Sequence, residues 1–275
     1  MIFRNEGNDM GLFQQIGFYK NLFRHYLYCG KKYDYRLVSY SEQENIPKVI
    51  HYCWFGKGKQ NELIEKCIAS WKNILPEYEI VLWNEDNFPV NKYPFAKQAL
   101  KDEKWAFVSD VARLHALYYY GGIYMDTDVE VIKPLDQFLH HGFFSSYESG
   151  RHLSTGIMGA KKGNMYVKML LDWYNFSYGR AYYKIANTRI ITKLTRLYCH
   201  IHLYGKQYEF ADCCYYPREY FCPEFRGGYV CTYRKHIHHT SFYPNVVESL
   251  ANAHMTYTAS DIATIHTNVG SKGGM

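Results

Sequence analysis

The sequence lacks a long hydrophobic run: nowhere does it approach the ~20 consecutive apolar residues of a bilayer span. Its first residues include Arg4, Glu6 and Asp9 with no apolar stretch behind them, so no secretory signal is read. No CxxC pair occurs among the 8 Cys, which excludes the usual zinc-ribbon and thioredoxin spacings. Cys213, Cys214, Cys222 and Cys231 do fall near His236, His238 and His239, leaving two readings, a structural zinc or scattered reduced thiols. Internal repeats and low-complexity tracts are absent as well. So is a strong charge: 32 basic and 26 acidic residues leave +6, too mild for a nucleic-acid binder. The expectation is a soluble cytoplasmic protein, free or peripheral on the inner face of the cell membrane, with no nucleic-acid partner.

What is present fits a globular chain. Its 275 residues are 47% hydrophobic and 21% charged, enough for one large domain or two small ones. Tyrosine is abundant, at 29 residues, and suits surfaces that are half apolar and half hydrogen-bonding. The charge is uneven. Residues 46–160 hold 12 basic and 14 acidic groups, whereas residues 161–239 hold 13 and 5.

Leu12, Ile16, Tyr19, Phe23, Tyr26 and Leu27 recur at helical spacing, with Lys20, Arg24, Lys31 and Lys32 around them. A basic amphipathic helix of this kind either lies in a bilayer interface or packs on a domain. The polar stretch Ser41–Asn45 precedes Pro47, so residues 1–45 read as an N-terminal helical appendage.

Beyond it, Lys48–Trp54, Tyr78–Trp83 and Ile123–Met125 read as strands, and Val129–Ile132 continues extended. Glu62–Asn73, Phe95–Lys101 and Trp105–Tyr120 read as helices, the last closed by Gly121 and Gly122. Phe143–Tyr147 and Gly156–Ala160 are further strands, and Asn164–Asn175 and Asn187–Ile201 further helices; after residue 205 the signal is mixed. Alternating strands and helices predict an α/β fold with a mainly parallel sheet flanked by helices, whose ligands bind beyond the carboxyl ends of the strands.

The strongest polar cluster falls at such an end. Asp126 and Asp128 follow the apolar strand Ile123–Met125, and side chains two apart on an extended segment face the same way. Two adjacent carboxylates repel unless a cation or proton lies between them. Mg²⁺ or Mn²⁺ shared with a substrate phosphate is the usual solution. A calcium loop starting at Asp126 would need Gly and Glu where Val131 and Gln137 stand, so that reading fails. On the preceding helix Asp110 and Arg113 share a face, either as a structural ion pair or as a grip for sugar hydroxyls and phosphate oxygens.

These segments resemble a known family. IPKVIHYCWFG at 46–56, VLWNEDNF at 81–88, WAFVSDVARLHALYYYGGIYMDTDVEVIKPLD at 105–136 and YYPREYFCP at 215–223 are similar to the glycosyltransferases with a DXD sugar-binding region. That family includes yeast-type initiating mannosyltransferases and many bacterial capsule and polysaccharide enzymes, and the large clostridial glucosylating toxins have a similar catalytic core. The resemblance covers roughly 46–242, which would be the catalytic domain, with 243–275 a C-terminal extension.

The resemblance implies a GT-A type fold, a nucleotide-sugar donor (a UDP- or GDP-sugar), Mn²⁺ or Mg²⁺, and transfer with retention. By position, Trp54 would stack on the donor base, Asp110 and Arg113 would contact donor sugar and phosphate, and Tyr124 would wall the nucleotide site. Asp126 would approach the sugar or ribose, and Asp128 would ligate the metal. RKHIHHTSF at 234–242 is similar to the family's closing motif, so His238 or His239 would face the metal–diphosphate, although Phe242 stands where Trp is usual. Ser154 stands where the family often has Asn and would face the acceptor.

The expected activity is transfer of a hexose to a saccharide or lipid-linked acceptor in surface-polysaccharide synthesis. A toxin-like transferase acting on a protein, a non-catalytic nucleotide-sugar-binding module and a metal-dependent phosphodiesterase or nucleotidyltransferase are the alternatives. The basic excess in 161–239 then suggests an anionic acceptor or an anionic membrane face.

Overall fold

The computed structural model describes residues 12–29, 44–176, 185–223 and 228–232. By its contacts the chain divides into two units, Met1–Thr232 and Tyr233–Met275, and the second lies outside the described residues.

The elements follow the hydrophobic patterning closely. Helix α1 spans Leu12–Cys29 and strand β1 Val49–Cys53. Helix α2 (Glu62–Ile74) opens at Asn61, whose side chain accepts the Ile64 N–H, and carries Glu62 and Glu65 in its positive first turn. Then come β2 (Glu79–Trp83), α3 (Pro94–Lys101) with its proline at the first helical position, and α4 (Trp105–Tyr120). Strands β3 (Gly122–Met125), β4 (Val129–Val131), β5 (Phe143–Ser149), β6 (His152–Leu153) and β7 (Ile157–Ala160) follow. The rest is α5 (Met165–Phe176), α6 (Asn187–Cys199), β8 (Tyr208–Phe210), β9 (Cys213–Tyr216), α7 (Arg218–Phe221) and β10 (Val230–Thr232).

The main sheet runs β2-β1-β3-β7-β5-β9-β8, with β6 attached to β5. Strands β2, β1 and β3 are parallel, β7 is antiparallel to both β3 and β5, and β9 is parallel to β5. The sheet is thus mixed, with β7 and the edge strand β8 reversed against the common direction. A separate pair joins β4 and β10.

Strand alternation divides the core between the two faces of the sheet. Tyr124, Phe143 and Cys213 face α4, α5 and α6, whereas Ile123, Met125, Phe144 and Cys214 face Trp71 of α2 and Phe221 of α7. Cys213 and Cys214 therefore point to opposite sides, and among the described residues no three His, Cys, Asp or Glu side chains gather as metal ligands. Much of the tyrosine excess is internal: Tyr93, Tyr124, Tyr166, Tyr174, Tyr198 and Tyr215 are all buried.

Gly121 and Gly122 set the turn that brings β3 beside β1. Their φ angles are +71° and +109°, and a Cβ on Gly122 would lie 2.6 Å from the Val49 carbonyl. Only glycine fits that approach.

Candidate active site

The site begins with the direction of α4. Nearly the whole middle of this helix is buried, so its two charged side chains, Asp110 and Arg113, are carried into the protein rather than left in water. The helix stops at Gly121, the chain reverses, and β3 returns alongside to deliver Asp126 to the same place.

Arg113 is the centre of the resulting cluster. Its Nη2 lies 3.2 Å from Asp110 Oδ1 and its Nη1 3.1 Å from Asp126 Oδ1. Nη1 also donates to the Thr155 carbonyl at 2.7 Å, and Nε donates to the Ser109 carbonyl at 3.3 Å. The guanidinium carbon sits 4.5 Å from the centre of the Tyr124 ring, and the Tyr124 hydroxyl donates to Asp126 Oδ1 at 2.9 Å. One planar fork is thereby fixed by a helix, a strand and a loop, which lysine could not reproduce.

The electrostatics follow from burial. Burial pushes the Asp110 carboxyl up to about 6, against the pull of Arg113 beside it and the hydrogen bond from Asn187. Burial opposes the Arg113 charge, but the Asp126 carboxylate and its neighbours hold the guanidinium more firmly protonated than usual. Burial also raises the Tyr124 hydroxyl, which stays protonated and able to donate.

Trp54 follows β1 and is half-buried, with its indole N–H donating to the Gly58 carbonyl at 2.6 Å. The same loop is tied down where the Gly56 N–H donates to Glu85 at 2.7 Å. Asp126 keeps 27% side-chain exposure, whereas Asp128 is buried. Asp126 is anchored through its own N–H to the Gly156 carbonyl at 2.8 Å, so β7 fixes the Asp-Thr-Asp turn.

The structure thus brings Asp110, Arg113, Tyr124 and Asp126 into direct contact. Ser154 is buried; its Oγ accepts the Gly156 N–H at 3.2 Å and lies 3.2 Å from Cys222 Sγ, so it braces the loop instead of facing outward. His238 and His239 lie outside the described residues.

Sequence reasoning missed Asn187. This first residue of α6 donates from Nδ2 to Asp110 Oδ1, and its own Oδ1 accepts from Thr155 Oγ1 at 3.1 Å. Nothing local marks it, because its partner is 77 residues away.

The donor set can be tested against a metal. Asp126 is already engaged by Arg113 and Tyr124, and the buried Asp128 lies two residues on. Two carboxylates are too few for a self-contained cation cage. They suit Mg²⁺ or Mn²⁺ completed by substrate phosphates and water.

Residues 61–144, which contain this cluster, match the family described as "Glycosyltransferase sugar-binding region containing DXD motif". The segment is a glycosyltransferase DXD region. The sheet order above makes the fold an α/β one, a mixed sheet flanked by helices. Over 142 residues the chain is 32% identical to inositol phosphoceramide mannosyltransferase 3 of Schizosaccharomyces pombe, covering 49% of this chain and 38% of that protein. It is 23% identical over 192 residues to "Subversion of eukaryotic traffic protein A" of Legionella pneumophila, covering 57% and 30%. The chain spans less than two fifths of the length of these curated relatives. Among solved structures, the PaToxG glycosyltransferase aligns with a TM-score of 0.48 at 19% identity, over 68% of this chain and 80% of that one.

Proposed function

We propose that this chain is a metal-dependent glycosyltransferase that moves a hexose from a nucleotide-sugar to a saccharide or lipid-linked acceptor, with retention of configuration. The observation that carries the reading is Arg113 held between Asp110 and Asp126 at the carboxyl end of β3, inside the DXD region. The mannosyltransferase and N-acetylglucosaminyltransferase names of the relatives support a sugar donor.

In this reading the half-buried Trp54 ring stacks on the donor base. Asp110 accepts hydrogen bonds from sugar hydroxyls, and Arg113 orients the sugar and the diphosphate. Asp128 and Asp126, with the diphosphate oxygens, would hold Mn²⁺ or Mg²⁺, which supplies Lewis-acid stabilisation of leaving-group charge. The bond from the anomeric carbon to the β-phosphate oxygen breaks, and positive charge builds on that carbon. The acceptor hydroxyl attacks from the face the diphosphate leaves, and its proton passes to a β-phosphate oxygen. The products are the glycoside and the nucleoside diphosphate. The chain's contribution is positioning and fixed electrostatics.

The acceptor belonging to surface-polysaccharide synthesis, and a cytoplasmic location, are further parts of the proposal. A panel of UDP- and GDP-sugars with Mn²⁺, scored for donor hydrolysis without acceptor, tests it. Release of free sugar and nucleoside diphosphate from one donor supports the reading. Pyrophosphate release instead, or a flat panel, overturns it.

A further inference from the structure

Helix α1 is apolar on two sides. Its inner stripe is in the core: Phe18 packs on Trp173 with ring centres 5.5 Å apart, and His25 is buried against Trp173 and Tyr198. Its outer side carries a second stripe. Ile16, Tyr19, Phe23, Tyr26 and Leu27 are exposed, with Phe23 at 61% and Leu27 at 63%. Among the described residues, the other large exposed hydrophobic side chains are the three tyrosines 119, 120 and 204. Packing on the domain and offering an apolar face outward are therefore properties of the same helix. A helix with two apolar sides is expected to be covered on both.

We propose that an anionic membrane surface covers this outer stripe, with α1 lying in the plane of the interface. The charge around the stripe chooses the occupant. Lys20 and Arg24 are exposed on α1, and neighbouring α6 adds Arg189, Lys193 and Arg196; neither helix carries an acidic residue. Lys193 Nζ lies 4.7 Å from the ring centres of Phe18 and Tyr19, which places cations along the apolar stripe. A second copy of this chain would bring the same cations face to face, whereas anionic headgroups would neutralise them. The 18 residues of α1 extend only about 27 Å, with Lys20 and Arg24 in mid-helix, and no described helix is long and apolar enough to cross a membrane.

The docking geometry bears on the site. Tyr19 meets Lys193, and His25 and Tyr26 meet Tyr198, so α1 and α6 run side by side in one direction. Asn187, which holds Asp110, is thus at the α6 end nearer the start of α1, about 9 Å along the helix from Lys193. A surface bound to α1 would lie beside the donor site, where a lipid-linked acceptor would enter. That last step rests on the transferase reading; the membrane contact does not.

Vesicle flotation of the full chain tests the contact without donor or metal. Vesicles of phosphatidylcholine with about a third phosphatidylserine should carry the protein up, and phosphatidylcholine alone or raised salt should release it. Lys20→Glu with Arg24→Glu should lower partitioning by about thirtyfold or more. Phe23→Ser with Leu27→Ser should abolish it, with the melting temperature unchanged because both side chains are outside the core. The proposal is overturned if the wild type ignores phosphatidylserine or if both double variants bind as it does. It is equally overturned if sedimentation shows a wild-type dimer that Phe23→Ser with Leu27→Ser dissociates. Donor hydrolysis in solution should be unaffected by either pair, so failure here and failure of the transferase reading are separable.

Discussion

Arg113 and Asp126 meet across the α4–β3 reversal at 3.1 Å, and Asp110 joins the same guanidinium from one helical turn away. A buried cation flanked by two carboxylates fails asymmetrically. Arg113→Ala would leave Asp110 buried with no positive partner, at a cost of about 3 kcal/mol. Donor hydrolysis should disappear and the melting temperature should fall. Arg113→Lys should recover part of the stability but little activity, because one ammonium cannot hold both carboxylates and the Thr155 carbonyl. Full activity in the lysine variant would show that charge alone matters.

Asp128 calls for a different outcome. Asp128→Asn preserves shape and should leave the melting temperature near wild type. Metal-dependent donor hydrolysis should drop on the order of a hundredfold or more. Calorimetric titration of Mn²⁺ in the presence of nucleoside diphosphate should show the binding step lost. An unchanged titration would remove Asp128 from the metal site.

Asn187 acts through Asp110. Its N–H favours the ionised carboxylate, so Asn187→Ala should move the Asp110 carboxyl upward from about 6. The acid limb of kcat/KM for donor hydrolysis should shift to higher pH, with donor KM raised more than kcat is lowered. A profile that keeps its acid limb would mean that Asn187 only caps α6.

Four histidines predict how stability varies with pH: His25, His51 and His115 are buried, His141 is half-buried, and burial lowers the pKa of each. His25, His115 and His141 are each held by burial near 4, below the usual 6.5. Each lies within hydrogen-bond distance of a tyrosine hydroxyl: Tyr198, Tyr93 and Tyr216 respectively. The unfolded chain protonates them first, so stability is level above about pH 7 and falls as pH drops from 6.5 toward 4. Asp110, raised to about 6, works in the opposite sense over part of that range, one group against four. Urea unfolding at a series of pH values should show this fall, and His25→Phe should make it shallower. A midpoint independent of pH would contradict the burial of these rings.

The local elements were legible because periodicity and punctuation agree with the fold. Trp105–Tyr120 is helical between the residues its pattern indicates, and Gly121-Gly122 ends it for a steric reason visible in the sequence. Asp126 was legible because a short apolar strand delivers it; Asp128 instead lies in the turn closed by the Val129 N–H on the Asp126 carbonyl at 3.1 Å, so the pair is not on one extended segment. Long-range partners were not. Nothing in the residue run predicts that β7 would reverse inside an otherwise parallel set, that β9 would pair with β5, or that Asn187 would reach Asp110. Those choices depend on strand pairing across the sheet and on the packing of α6. The burial of Ser154 between Cys222 and Gly156 was likewise not legible, because Cys222 is 68 residues away.

Phe18 changes what counts as the smallest usable piece of this chain. Its ring is wholly buried in the same core as Trp173 and Leu194, although it lies in the stretch that reads as an appendage. Starting the chain at Ile46 would uncover Trp173 and strip Tyr198 of its His25 partner, giving a new adhesive patch on α5 and α6. Such a shortened protein would aggregate or denature for reasons unrelated to sugar transfer. Any inactivity measured on it would report where the gene was cut, not what the DXD region can do.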